Sequence, residues 1–136
     1  MKLFVDTNVV IDFLGQREPF AKDAAVVFDM HLKGMVQIAI SSLTVVNCAY
    51  ILRKEFSKEI MLEKVKWLCE NLFVTPIDKE CLVNASQENY KDFEDAVQYM
   101  SAMSFNPDLI ITRNVKDFKE LSFAFLTPSE FVLNCM

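Results

Sequence analysis

The chain has 136 residues, 52% of them hydrophobic and twelve of them Phe. That is enough for one globular domain over residues 1–136 and excludes a disordered chain. The net charge of −5, from 14 basic and 19 acidic residues, argues against a general nucleic-acid coat, which needs a basic footprint. No apolar run approaches the roughly 18 residues of a membrane span, and Asp6 interrupts the first apolar run too early for a signal peptide, so the expected compartment is the cytoplasm. The four cysteines contain no CxxC pair, which disfavours a zinc site or a disulfide framework. The single His leaves no Ser-His-Asp relay other than through His31, and two glycines cannot supply a GxGxxG or P-loop motif.

In chain order, Lys2 to Val5 reads as a buried strand that runs into the polar triplet Asp6-Thr7-Asn8. Asn8 is expected to cap a short helix, Val9 to Leu14, that stops at Gly15. Pro19 opens the next helix, which carries His31 as a boundary residue and ends at Gly34. A second strand, Val36 to Ile40, leads through the caps Ser41-Ser42 to a strongly apolar helix, Leu43 to Phe56. The helix after Ser57 reaches Leu72, with Ile60, Leu62, Val65, Leu68 and Cys69 as its expected buried face. Phe73 to Ile77 is a third strand, placed at a sheet edge by Pro76. Asp78 caps the helix carrying Cys81, Leu82, Val83 and Ala85, and Asn89-Tyr90-Lys91 is a loop.

Phe93, Ala96, Val97, Met100 and Met103 then mark an amphipathic helix broken by Pro107. Leu109 to Ile111 is a fourth strand, Asn114 begins a short helix to about Leu121, and Phe123 to Leu126 is a fifth strand. Thr127-Pro128-Ser129-Glu130 is a capping box that opens a last helix. Strands alternate with helices throughout, the signature of a parallel sheet covered on both faces.

In such a sheet, ligands bind at the carboxyl ends of the strands. Asp6 follows the first strand there, Asp117 lies in the first helical turn after the fourth, and Asp95 opens the amphipathic helix. Clustered carboxylates repel one another and call for a cation. Oxygen ligands suit Mg²⁺ or Mn²⁺, which can activate water for in-line displacement at phosphorus. Each acid alone also reads as a helix cap: Asp6 for the first helix, Asp92 with Asp95, Asn114 with Asp117. Convergence of three at one edge is what capping does not require. Asn47 lies mid-helix among apolar residues and is expected to face the interior, where an unpaired amide would cost about 1–3 kcal/mol. Asp12 reads as part of a solvated face. Arg17, Arg113 and Lys116 are the basic residues expected nearest the edge, either as ordinary solvated charge or as phosphate contacts.

The segments Phe4-Val5-Asp6-Thr7-Asn8-Val9-Val10-Ile11-Asp12, Ile40-Ser41-Ser42-Leu43-Thr44, Asp92-Phe93-Glu94-Asp95-Ala96 and Ile110-Ile111-Thr112-Arg113-Asn114-Val115-Lys116-Asp117-Phe118 together resemble the PIN-domain family, in the right order over almost the whole chain. The resemblance implies a three-layer α/β/α sandwich with a parallel sheet of four or five strands. It implies RNA cleavage dependent on Mg²⁺ or Mn²⁺. It also implies kinship with the VapC-type toxins, in the subgroup with the Asp-Phe-Glu-Asp-Ala motif, which commonly dimerise and are neutralised by a small antitoxin. Within it, Asp6 matches the first acid, Asp95 the third, and Asp117 or Asn114 the fourth. Asn47 stands where the second acid is normally Glu. Asn8, Asp92 and Thr112 fall in the matched motifs as supporting residues. The departure at Asn47 leaves a second expectation beside the enzyme: a PIN fold with weakened catalysis that acts through protein or RNA partners. A phosphatase on the same edge is a third.

Overall fold

The computed structural model describes residues 1–87, 92–115 and 124–135. Within them the chain order is β1 (Lys2–Val5), α1 (Thr7–Leu14), α2 (Ala21–Leu32), β2 (Gln37–Ser41), α3 (Ser42–Leu52), α4 (Lys58–Asn71), β3 (Phe73–Thr75), α5 (Lys79–Gln87), α6 (Phe93–Met103), β4 (Leu109–Ile111), β5 (Phe125–Leu126) and α7 (Pro128–Cys135). The strands form one five-stranded sheet in the order β3-β2-β1-β4-β5, and every pairing is parallel. Three-residue strands suffice because each is wholly or partly buried between helical layers.

Side-chain alternation sorts the core into two faces. Leu3, Val5, Ile38, Ile40, Leu109 and Ile111 point toward α1, α2, α3, α4 and α7. Phe4, Ala39 and Ile110 point the other way and pack with Ala102 of α6, beside the α5–α6 contact of Ala85 with Ala96 and Val97. The result is the expected α/β/α sandwich. On the larger face Phe28 is fully buried, stacked on Phe13 at 4.4 Å, with Trp67 edge-on.

Several boundaries differ from the sequence-based expectation for local reasons. The cap of α1 is Asp6, not Asn8: its extended backbone lets the side chain accept from Thr7 N–H. Pro19 sits in a turn closed by Phe20 and Ala21 N–H donating to the Arg17 carbonyl, so α2 starts at Ala21. The apolar helix α3 ends at Leu52 rather than Phe56, because the Leu52 carbonyl is taken by Glu55 and Phe56 N–H in a turn. β3 stops at Thr75, before Pro76, and is an edge strand. On α4 only Leu68 is fully buried, whereas Ile60, Leu62 and Cys69 are exposed. Phe93 and Met103, assigned to the buried face of α6, are also exposed.

Other punctuation is as read. Gly34 adopts a left-handed φ of +77° just past α2. The capping box is reciprocal: Thr127 N–H donates to Glu130 Oε1 at 3.0 Å and Glu130 N–H to Thr127 Oγ1 at 3.1 Å. Asp78 accepts from Cys81 N–H at 2.9 Å. His31 is a structural bridge, accepting from Ile38 N–H at Nδ1 and donating from Nε2 to the Asn71 carbonyl; this tautomer follows from the amide donor. The loop Asn89-Tyr90-Lys91, the body of the helix expected from Asn114 to Leu121, and Phe123 lie outside the described residues.

Candidate active site

Strand order reverses at β1: the chain moves outward through β2 and β3, then returns to lay β4 and β5 on the other side. The carboxyl ends of β1 and β4 therefore flank a topological switch point, where open α/β sheets bind ligands. Asp6 stands there. Its N–H donates to the Ile111 carbonyl at 2.9 Å, which pins it to the end of β4. Its Oδ1 accepts from Thr7 N–H and its Oδ2 from the Thr112 hydroxyl, both at 2.8 Å. Thr112 is fully buried, and its oxygen in turn accepts from Asn114 N–H at 3.0 Å. Asp6 is thus oriented at both oxygens while 7% exposed.

A buried polar cluster draws two further helices to this point. The Thr7 hydroxyl lies 2.7 Å from that of Thr44. Gln98, 2% exposed, donates from Nε2 to both hydroxyls at 2.9 Å and accepts from the Ser41 hydroxyl at Oε1. Every buried side-chain polar atom among the described residues has a partner, as a network of this kind must to be stable. Residues three apart on a helix share a face. Asp95, one turn earlier on α6, therefore shares the helix face of Gln98, and Asn47 on α3 shares that of Thr44. Sequence reading missed Gln98, Thr7 and Thr44 as a group. The available signal was Gln98 at the i+3 position from Asp95 on an otherwise apolar face.

Asn47 does not face the interior. It is half-buried, and its Nδ2 donates to Glu94 Oε1 at 3.0 Å, linking α3 to the first turn of α6. Asp92 is the N-cap of α6 and accepts from Asp95 N–H at 3.0 Å. Asn8 accepts from Arg113 N–H at 3.3 Å. Asp117 and Lys116 lie outside the described residues. Among the described residues, no group of three His, Cys, Asp or Glu side chains is placed to hold a metal ion.

Asp12 is not solvated: it is 1% exposed and forms a two-point pair with Arg113, Nε to Oδ2 at 2.6 Å and Nη2 to Oδ1 at 3.4 Å. The guanidinium also lies 4.1 Å from the centre of the Phe20 ring. Arg17 follows the far end of α1 from Asp6 and pairs with Glu55 at 2.8 Å. Behind Asp6, the Cys48 thiol is pushed up to about 12 from 9.0, first by burial and second by the charge of Asp6.

A PIN-domain family profile matches residues 2–116. The chain belongs to the PIN-domain family. Among characterised relatives, ribonuclease VapC1 of Aquifex aeolicus is 28% identical over 135 residues, covering 96% of this chain and 92% of the relative. Among solved structures, this PIN domain is similar to a chain of a toxin–antitoxin complex from Klebsiella pneumoniae, at 25% identity and a TM-score of 0.67 over 94% of this chain and 98% of that one. A chain of DNA-bound VapBC from Salmonella typhimurium matches it at 19% identity and a TM-score of 0.70, with 94% and 98% covered, a likeness of fold. Among the described residues, no helix is long and apolar enough to cross a membrane.

Proposed function

We propose that this PIN domain is a divalent-metal-dependent endoribonuclease serving as the toxin of a toxin–antitoxin pair. The observation that carries the reading is the oriented Asp6 carboxylate at the β1/β4 switch point; the helix faces of Gln98 and Thr44, which reach Thr7 beside it, also carry Asp95 and Asn47. The names of its relatives supply the substrate class and the partner.

The donor set is oxygen only, which fits Mg²⁺ or Mn²⁺ rather than a softer ion. Asp6 and Asp95 would hold it, joined by Asp117. When bound, the ion supplies positive charge for the developing phosphorane oxygens and lowers the pKa of water. The chain's own residues do the rest. Thr112 and Thr7 fix the Asp6 oxygens, and a preoriented carboxylate pays little reorganisation cost. Asn47, in the place of an acid, holds Glu94 by hydrogen bond, so α6 contributes a carboxylate beside the position where α3 lacks one. Asn114 follows the Thr112 turn and orients water or ligand. With a net charge of −5, the RNA must be held by local contacts rather than by the long-range field.

Incubation of the purified chain with unstructured RNA and Mn²⁺ tests the reading. Cleavage is expected, and is lost in chelator. Undiminished cutting in excess chelator would refute the metal mechanism. Glu94→Gln is expected to weaken Mn²⁺ binding in calorimetry, and Asn47→Glu in the same background to restore it.

Asn47 also favours a second reading, a PIN fold acting mainly as a binding module. Absence of Mn²⁺ binding at millimolar metal would support that reading over the enzyme. Partner surfaces exist for either. Val46 and Tyr50 are 64% and 60% exposed one turn apart on α3, a patch suited to a homodimer. The exposed Ile60 and the ring of Trp67 line a groove of about 360 Å³ against α1, suited to an apolar antitoxin segment.

A further inference from the structure

A second cavity opens where the start of α2 meets Arg113 and the start of α7. It measures about 310 Å³, and its described lining is Phe20, Asp23, Arg113, Thr127, Pro128 and Ser129. Arg113 directly follows Thr112, whose hydroxyl orients Asp6, so one wall of the cavity adjoins the candidate active site in sequence. Its volume is at the lower end for ligand pockets and suits one planar ring system rather than a helix or strand.

The charges decide what it can hold. An arginine next to a helix N-terminus ordinarily suggests phosphate. Here both positive elements are already answered from within the chain. The Arg113 guanidinium is paired at two points with Asp12. The N-terminus of α7 is capped by its own Glu130, which accepts from Thr127 N–H. Asp23 adds a carboxylate with no hydrogen-bond or ion-pair partner among the described residues. Counting Arg113, Asp12 and Asp23 alone, the side-chain charge is about −1, which disfavours a phosphate seated inside the slot and favours a neutral base whose phosphates stay outside it. What remains is a largely apolar slot with one carboxylate at its wall: Phe20 is 41% exposed, with the Arg113 guanidinium against one side of its ring, and Pro128 is buried.

We infer that this slot receives a single unpaired guanine base of the RNA substrate, stacked on the exposed part of Phe20, with N1–H and the N2 amino group donating to the two oxygens of Asp23. Guanine is the base whose Watson–Crick edge offers two adjacent donors to a carboxylate. Single-stranded RNA is read in this way, by stacking on aromatic or guanidinium planes and by hydrogen bonds to base edges. The Thr127 and Ser129 hydroxyls stand at the same wall for the remaining edge atoms. The inference rests on the ribonuclease reading for its substrate, and names the subsite that would select where RNA is held.

An acid in the first turn of α2 also favours the helix dipole, so the test needs a readout that helix stability does not move. The full chain carrying Asp6→Asn, which removes cleavage, is titrated by fluorescence anisotropy with short unstructured RNAs. These carry one guanine, or inosine or adenine in its place, among uridines. The guanine RNA is expected to bind about tenfold more tightly than the inosine RNA, which lacks only the N2 amino group. Asp23→Asn on the same background is expected to erase that difference, and Phe20→Ala to weaken all three RNAs. Equal affinity for the three RNAs, or a guanine preference that survives Asp23→Asn, overturns the inference and leaves the slot to a protein contact. The cleavage assay separates the two levels. Metal-dependent cutting without guanine preference removes the subsite and keeps the ribonuclease. Guanine-selective binding without cutting by the unaltered chain keeps the subsite and removes the ribonuclease.

Discussion

Two nearly buried carboxylates on one short helix have opposite fates. Asp6 caps the start of α1 and is oriented by a hydroxyl and a backbone amide. Asp12, on the second turn of the same helix, is held by a guanidinium at two points. Neutral donors orient a carboxylate without cancelling its charge, whereas a guanidinium does both. The comparison teaches that burial does not by itself distinguish a functional acid from a structural one; the chemistry of the donors does. By that standard Asp12 belongs to the scaffold that holds Arg113 and Phe20 in place, whereas the two donors described for Asp6 leave it suited to the site we propose.

The sharpest way to break the comparison is to neutralise each acid in turn. Asp6→Asn is expected to reduce Mn²⁺-dependent RNA cleavage by at least about 100-fold, or roughly 2.7 kcal/mol of barrier, while the thermal midpoint hardly moves. Rates measured beside a melting curve check this, and an unfolded variant would place Asp6 with the scaffold instead. Asp12→Ala is expected to do the reverse. It strands Arg113, which is one-third exposed, so the cost falls below that of a fully buried pair, at about 2–3 kcal/mol. Urea denaturation measures it, with residual activity retained in the folded fraction.

Gln98→Leu tests the cluster that draws α3 and α6 to Asp6. It removes three hydrogen bonds, to Ser41, Thr7 and Thr44, and leaves their hydroxyls poorly paired, for about 1–2 kcal/mol. A loss of Mn²⁺ affinity beyond what the fall in stability explains would show that the cluster positions Asp95 and Asn47, and unchanged affinity would restrict it to packing.

Cys48 reports on the surroundings of Asp6 directly. With its thiol pushed up to about 12 from 9.0, its thiolate fraction near neutral pH is about 1,000-fold below that of an ordinary cysteine. The exposed Cys69 and Cys135 should label with iodoacetamide under native conditions while Cys48 does not. In Asp6→Asn the secondary, electrostatic part of that shift disappears, and Cys48 should stay slow because burial is the larger cause.

The smallest effect concerns the wall of the second cavity. Thr127 N–H, the largest cause, holds the Glu130 carboxyl below its ordinary 4.5. A pKa depressed on folding contributes stability above the unfolded value and loses it as pH falls through the folded one. The protection factors of the Thr127 and Glu130 amides, taken against the intrinsic exchange rate at each pH, should therefore fall as the pH drops below the ordinary carboxylate value of 4.5. Protection factors that are flat with pH would show that the cap does not depend on the carboxylate.

Much of this was legible in residue order. Alternating strands and helices gave the layered parallel sheet, Pro76 placed β3 at an edge, Thr127 to Glu130 announced the start of α7, and Asp6 stood out as an acid where a buried strand ends. Other features were not legible, for identifiable reasons. Periodicity gives the angular position of a residue on its own helix but not which neighbour covers it. Ile60, Leu62, Phe93 and Met103 were thus assigned to buried faces that packing leaves exposed, and Asn47 to the interior when its partner is Glu94 at the surface. Asp12 looked solvated because its counter-ion, Arg113, lies 101 residues away.

The sequence by itself determined the element types, their order and the acid at the end of β1, because local propensity, capping and the hydrophobic period act within a few residues. Only the tertiary structure decided the partners. The reversal of strand order at β1 sets Asp6 beside Thr112, the meeting of α1, α3 and α6 gathers Thr7, Thr44 and Gln98, and the return of the chain from β4 closes Arg113 on Asp12. These contacts join residues distant in sequence, so the physical chemistry of the site comes from sheet topology rather than from any single stretch of chain.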